Sequence, residues 1–165
     1  MRISKNFTLK ELTKSNTALR LGIDNTPSKE GVLKLALLAT TILQPLRDVL
    51  GALRITSGYR SPELNRAIGG SANSSHTMCQ AADIQYYNRG KMNNLSIFIA
   101  LVELGLEFDQ CILEFGDSTE HKDPSNPDWI HLSWNPEENR QEILVAYKDK
   151  NNRTAYRYPI NYNRL

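Results

Sequence analysis

The sequence predicts an α+β fold, with N-terminal helices packed on a mostly antiparallel sheet. Two observations carry this. Apolar residues recur at three- and four-residue spacing through the first third of the chain, and short alternating apolar runs follow, separated by polar loops. The helical and strand patterns are segregated rather than alternated, which separates α+β from a parallel α/β design.

Taken in order, Phe7 to Leu12 reads as a short amphipathic helix capped by Thr8, with Glu11 completing a capping box. Ser15 to Thr26 is polar and reads as a loop with a short turn. From about Lys29 to Leu50 the pattern is helical, with Val32, Leu35, Leu38, Ala39, Ile42, Leu43, Leu46 and Leu50 on one side. Pro45 should kink this helix or start a second one. Leu53–Ser57 reads as a strand, Ser61–Ile68 as a helix with Pro62 in its first turn, and residues 69–75 as a flexible loop. Further strands are expected at Ala81–Tyr86, Phe108–Phe115, Trp129–Trp134, Gln141–Tyr147 and Thr154–Tyr158. A helix is expected at Leu95–Leu104, and a hairpin through residues 148–152. The 165 residues suffice for a single domain with one substantial core.

Composition excludes several classes. Twenty Lys and Arg against 18 Asp and Glu leave a net charge of +2. With no basic patch and no stacked aromatics, nucleic-acid binding is not expected. Two cysteines cannot make a disulfide framework, and free thiols are expected. The longest apolar run, Val32 to Leu43, is interrupted and too short to span a bilayer, so membrane insertion is not expected. The first residues, Met1 to Asn6, lack the apolar core of a signal peptide. The expectation is synthesis in the cytoplasm.

The chemistry concentrates in Ile55 to Gln85 and in one distant strand. His76 is followed seven positions later by Asp83, and His131 lies in Asp128-Trp129-Ile130-His131-Leu132-Ser133. Two histidines and a carboxylate with an open fourth position are a catalytic zinc arrangement. Strand alternation places Trp129, His131 and Ser133 on one face, with Ile130, Leu132 and Trp134 on the core face. Asp83 shares its face with Ala81 and Gln85. Against this, a His and an Asp at such spacing often co-occur by chance, and a lone histidine is commonly a hydrogen-bonded structural residue. Cys79 is either a fourth sulfur donor or, as its size favours, a small partly buried thiol.

Ser57-Gly58-Tyr59-Arg60-Ser61, then Ser74-x-His76 with Ala81-x-Asp83, then Trp129-Ile130-His131 resembles the zinc D-Ala-D-Ala carboxypeptidase family. That family includes D,D-carboxypeptidases, vancomycin-resistance D,D-dipeptidases and phage endolysins that cut L-alanyl-D-glutamate bonds. The resemblance runs from about Phe7 to Ser133 and looks closest to the short, phage-type branch. It implies a hedgehog/D,D-peptidase-like fold and Zn²⁺ held by His76, Asp83 and His131. It also implies that Arg60 binds a substrate carboxylate, with Ser74 and Tyr59 lining the pocket. A general base is implied at Asp128, three residues before the last histidine. Glu114, at the end of a strand, is the rival, and Asp128 is preferred. Strand parity requires Asp128 to sit in the turn after Pro127 to reach the site. His121 reads as solvated, with an oxyanion contact as the alternative.

The family's motif glycine is Cys79 here. At positive φ a cysteine there costs about 1 kcal/mol. The reading implied is a monomeric zinc peptidase that hydrolyses the stem peptide of bacterial peptidoglycan and acts on the cell wall after release from a phage- or prophage-like source. The alternative is a wall-binding or phage structural protein that keeps the fold without turnover.

Overall fold

The computed structural model describes residues 1–161. Helices α1 (Leu9–Thr13), α2 (Asn16–Leu21) and α3 (Lys29–Leu38) open the chain. A π-helical turn over Ala39–Leu43 joins α3 to α4 (Gln44–Leu50). Strand β1 (Leu53–Ser57) is followed by α5 (Pro62–Ala67), β2 (Ala81–Asn88), β3 (Lys91–Met92) and α6 (Leu95–Glu103). The chain continues through β4 (Gln110–Glu114), β5 (Trp129–Ser133), β6 (Glu142–Lys148) and β7 (Thr154–Arg157).

The sheet has the order β1-β2-β5-β4-β6-β7, with β3 paired to β2. All pairings are antiparallel except β4 with β6. The predicted α+β class therefore holds. Its core face carries Ala82, Ile84, Cys111, Leu113, Ile130, Leu132 and Val145, all buried with Leu35, Leu38, Ile42, Ile97, Phe98 and Leu101 of the helices. Helix α6 crosses β2, β4 and β5 on that side. The other face is left open, and the ligand-type residues point there.

Local chemistry explains most of the helix ends. Thr8 and Glu11 form the expected capping box, with Thr8 N–H donating to Glu11 Oε2 at 2.8 Å. Ser28 caps α3 and Ser61 caps α5, each accepting from a backbone N–H of the first turn. Pro45 opens a second helix, as expected. It falls in the first turn of α4, where the π turn absorbs its missing N–H. The segment expected to be a loop at 15–26 contains α2, capped by Ser15. The short strand β3, a hairpin partner of β2, had no apolar alternation to announce it.

Among the described residues no helix is long and apolar enough to cross a membrane. Both cysteines are free and buried.

Strand β7 is anchored by Asp123. This buried carboxylate accepts from Arg157 Nη1 at 2.6 Å and from the backbone N–H groups of Ile160 and Asn161. Burial pushes the Asp123 carboxyl up, but these donors outweigh it and hold the group below its ordinary value. Its contribution is therefore full above the unfolded value of about 3.9 and is lost as pH falls through the lower folded value. Asp123→Ala should cost about 3 kcal/mol at neutral pH, since it removes the charge partner of a largely buried guanidinium that keeps only backbone carbonyls. Urea melts should show this cost shrinking below about pH 4.

Candidate metal centre

His76 sits at the end of the 69–75 loop, Asp83 on β2 and His131 on β5. Asp83 and His131 are direct cross-strand partners, which places their side chains together on the open face. His131 Nδ1 lies 2.9 Å from Asp83 Oδ1, His76 Nε2 lies 3.2 Å from the same oxygen, and the two ring nitrogens are 3.2 Å apart. All three side chains are buried. Tetrahedral coordination at about 2.0–2.2 Å separates ligand atoms by roughly 3.3 Å, so this triangle has the size of a zinc site.

The protonation pattern makes the same point. His76 Nδ1 donates to the Gly58 carbonyl at 2.7 Å, which leaves the lone pair of a neutral ring on Nε2. Burial pushes His76 below the ordinary imidazole value despite the pull of Asp83. Burial opposes ionisation of Asp83 too, but the two imidazoles outweigh it and hold the carboxyl well below its usual range. A carboxylate and imidazole lone pairs facing one point repel unless a proton or a metal ion sits among them. The donor set fits a divalent metal.

A second layer holds this set in place. Arg60 Nη2 pairs with Asp83 Oδ2 at 2.7 Å, and Arg60 Nε donates to Ser57 Oγ at 2.9 Å. The Gly58 carbonyl is fixed because its backbone crosses α1 closely, with Tyr59 N–H donating to Leu12 O at 2.7 Å. A Cβ at Gly58 would collide with the Leu12 carbonyl. Asn25 clamps the same turn, donating to Tyr59 O at 3.0 Å and accepting from Ser61 N–H at 2.7 Å. Below the 69–75 loop, Asn65 donates to Ser71 O at 2.8 Å and packs against Gly70.

The open face forms a cleft of about 500 Å³ around the three ligand-type residues. Ser74 and Arg60 line it from the loop side. Glu114 also lines it, one strand from His131, and burial pushes its carboxyl up to about 7. Asp128 does not line the cleft. Its N–H bonds Glu114 O at 2.8 Å and its carbonyl accepts from Asn94 Nδ2 at 2.8 Å, so the strand register already extends back through it. Its side chain is exposed. Tyr59 is not brought to the cleft either. It packs on the core and faces the groove on the other side of Arg60. His121 is solvated.

Sequence reasoning missed Asn25, Asn65 and Asn94. Asn94 is fully buried and joins β2 to the start of β5. A single asparagine in a polar stretch carries no signal that it will clamp a backbone. The hydrophobic run that follows Asn94 was its one hint.

The family model described as Peptidase M15 matches residues 5–106, well over half of the chain. No curated protein matches it significantly. The chain belongs to the peptidase M15 family, the zinc D-Ala-D-Ala carboxypeptidase family. The matched segment contains Arg60, Ser74, His76 and Asp83, while Glu114, Asp128 and His131 lie beyond it.

Purified protein should carry about one zinc per chain, counted by elemental analysis. His76→Ala and Asp83→Ala should each lose most of it. Added zinc at about 100 times its Kd should raise wild-type stability by ~2.7 kcal/mol and leave both variants unmoved.

Proposed function

From membership of the peptidase M15 family we propose that this protein is a zinc peptidase acting on the stem peptide of peptidoglycan. The observation that carries the proposal is the convergence of His76, Asp83 and His131 at the floor of an open cleft that also holds Glu114 and Arg60. The three ligand-type residues would hold Zn²⁺. When bound, the ion would supply Lewis acidity, which makes a water nucleophilic near neutral pH and polarises a carbonyl.

Glu114 is the general base of this reading. Glu114 pairs with Trp129 in the register that also sets Ile112 against His131, so Glu114 and His131 share one face. A carboxyl pushed up to about 7 by burial is matched to taking a proton near neutral pH and returning it. As the water oxygen bonds the carbonyl carbon, Glu114 accepts the water's proton. As the C–N bond breaks, Glu114 delivers that proton to the leaving amine. The preference for Asp128 drawn from the family pattern gives way here, because Asp128 is exposed and outside the cleft.

Arg60 orients Asp83 through one amino group, and its Nη1 makes no hydrogen bond among the described residues. Arg60 lines the cleft with Ser74, and its guanidinium would take a substrate carboxylate there. A terminal carboxylate there makes the enzyme a carboxypeptidase, while a side-chain or α-carboxylate of D-Glu makes it an endolysin-type endopeptidase. A phage-like origin, a monomeric state and action on the wall after release belong to this same reading.

Peptide release from purified sacculi, followed by mass spectrometry, tests the activity and identifies the bond. Glu114→Gln should retain zinc and lose about 100-fold or more in kcat, while Asp128→Asn should stay within a few-fold of wild type. The reverse result would return the base to Asp128.

Arg60→Ala should cut turnover of a pentapeptide ending in D-Ala-D-Ala by roughly 10- to 100-fold if its terminal carboxylate is the ligand. Amidating that terminus should then cause a similar loss in wild type and little further loss in the variant. Unchanged wild-type activity on the amidated peptide would assign Arg60 to an internal carboxylate instead.

A further inference from the structure

The wall of the cleft farthest from Arg60 comes from the β6–β7 hairpin, which lies outside the family match. The register builds it. Trp129 pairs with Glu114, Glu114 with Ala146, and Ala146 with Tyr156, so these four residues form one row across β5, β4, β6 and β7. Ala146 presents only a methyl between Glu114 and Tyr156, and it is fully buried. The next row sets His131 beside Ile112 and Leu144. Tyr156 is about half exposed and lines the cleft with Leu144 and Thr154. Its hydroxyl makes no hydrogen bond among the described residues, which leaves it available to a ligand in the cleft.

Charge divides the cleft into two ends. Arg60 follows β1, at one edge of the sheet, while Tyr156 is on β7, at the other. Between them lie Asp83 and Glu114. Burial, and after it the Glu114 and Asp83 carboxylates, raise the Tyr156 phenol, so it stays a protonated, uncharged donor. None of the described residues lining this end is cationic, so a carboxylate finds no charge partner here, while a peptide carbonyl or an apolar side chain is accepted.

We propose that Tyr156, with Leu144 and Thr154, forms a second substrate subsite. It takes an uncharged part of the stem peptide on the far side of Glu114 from Arg60, with the phenol donating to a peptide carbonyl. The inference rests on the peptidase reading. It adds the direction in which the peptide lies, carboxylate towards Arg60 and apolar residue towards the hairpin.

The test measures binding and turnover separately, with the stem pentapeptide as probe. On a zinc-loaded Glu114→Gln background, calorimetry should show that Tyr156→Ala raises the Kd about 10-fold or more, and that Tyr156→Phe gives a smaller loss. In the active enzyme Tyr156→Ala should raise KM by a similar factor and leave kcat within about threefold. Zinc content and melting temperature should match wild type. The Tyr156 loss should be the same at low and high salt, while the loss from Arg60→Ala should shrink as salt screens it.

An unchanged Kd and KM in Tyr156→Ala would overturn the subsite. So would a fall in kcat alone, which would make Tyr156 part of the chemical step. A loss in Tyr156→Ala that shrinks with salt as the Arg60 loss does would overturn its uncharged character. If wild type binds the peptide but cleaves nothing, the peptidase reading fails, and the binding arm still decides the subsite.

Discussion

Three electron-rich atoms aimed at one point are the constraint on which the rest of this structure depends. Asp83 Oδ1, His76 Nε2 and His131 Nδ1 sit about 3 Å apart in a buried place, an arrangement that needs a proton or a metal ion among them. Such a cluster persists only if the surrounding chain over-determines each position. Asp83 and His131 are fixed by sheet pairing, the most rigid device available. His76 comes from a loop and needs more. The Gly58 carbonyl holds its ring, and Gly58 is itself held against α1. The N-terminal helix is thus part of the metal centre's support, although it supplies none of the ligand-type atoms.

Much of this was legible in the sequence, for a definite physical reason. Strand alternation alone separates His131 from Ile130 and Leu132, and Asp83 from Ala82 and Ile84, so the two faces could be assigned before any pairing was known. Capping at Thr8 and Ser61 follows from side-chain oxygens placed just ahead of helical periodicity. What stayed hidden depends on contacts far apart in the chain. The strand order, the parallel pairing of β4 with β6, and the clamps made by Asn25 and Asn94 leave no local pattern. Helix α2 was hidden for the opposite reason, because its six residues bury little apolar surface.

The two candidate carboxylates show how a motif and a register can disagree. Counting back three residues from His131 reaches Asp128, but in an extended strand three residues is an odd step, so the side chain starts from the wrong face. A turn at Pro127 would have released it from that parity. Instead the Asp128 backbone is bound on both sides, to Glu114 and to Asn94, and the strand geometry continues through it. Glu114 needs no such release. It shares its face with His131, is buried, and is surrounded by the apolar wall that raises its carboxyl.

Cys79, where the family pattern has glycine, bears on whether this site has been disabled. Its φ is +62°, so the position does demand the conformation that glycine adopts freely, and the substitution costs on the order of 1 kcal/mol. The side chain, however, turns into the core rather than the cleft. It is nearly inaccessible, burial pushes its thiol up to about 11, and its sulfur lies 2.7 Å from where a Cβ on Gly31 would stand. The thiol therefore occupies space that the absence of a side chain at Gly31 leaves over α3. A strained backbone position is offset by a filled contact, both on the core side of the loop. The His76 ring, three residues earlier, keeps its bond to the Gly58 carbonyl and its place beside Asp83. The departure from the motif thus alters how the loop packs on α3 and leaves the electron-rich triangle intact, which favours the enzyme over a wall-binding protein that has lost turnover.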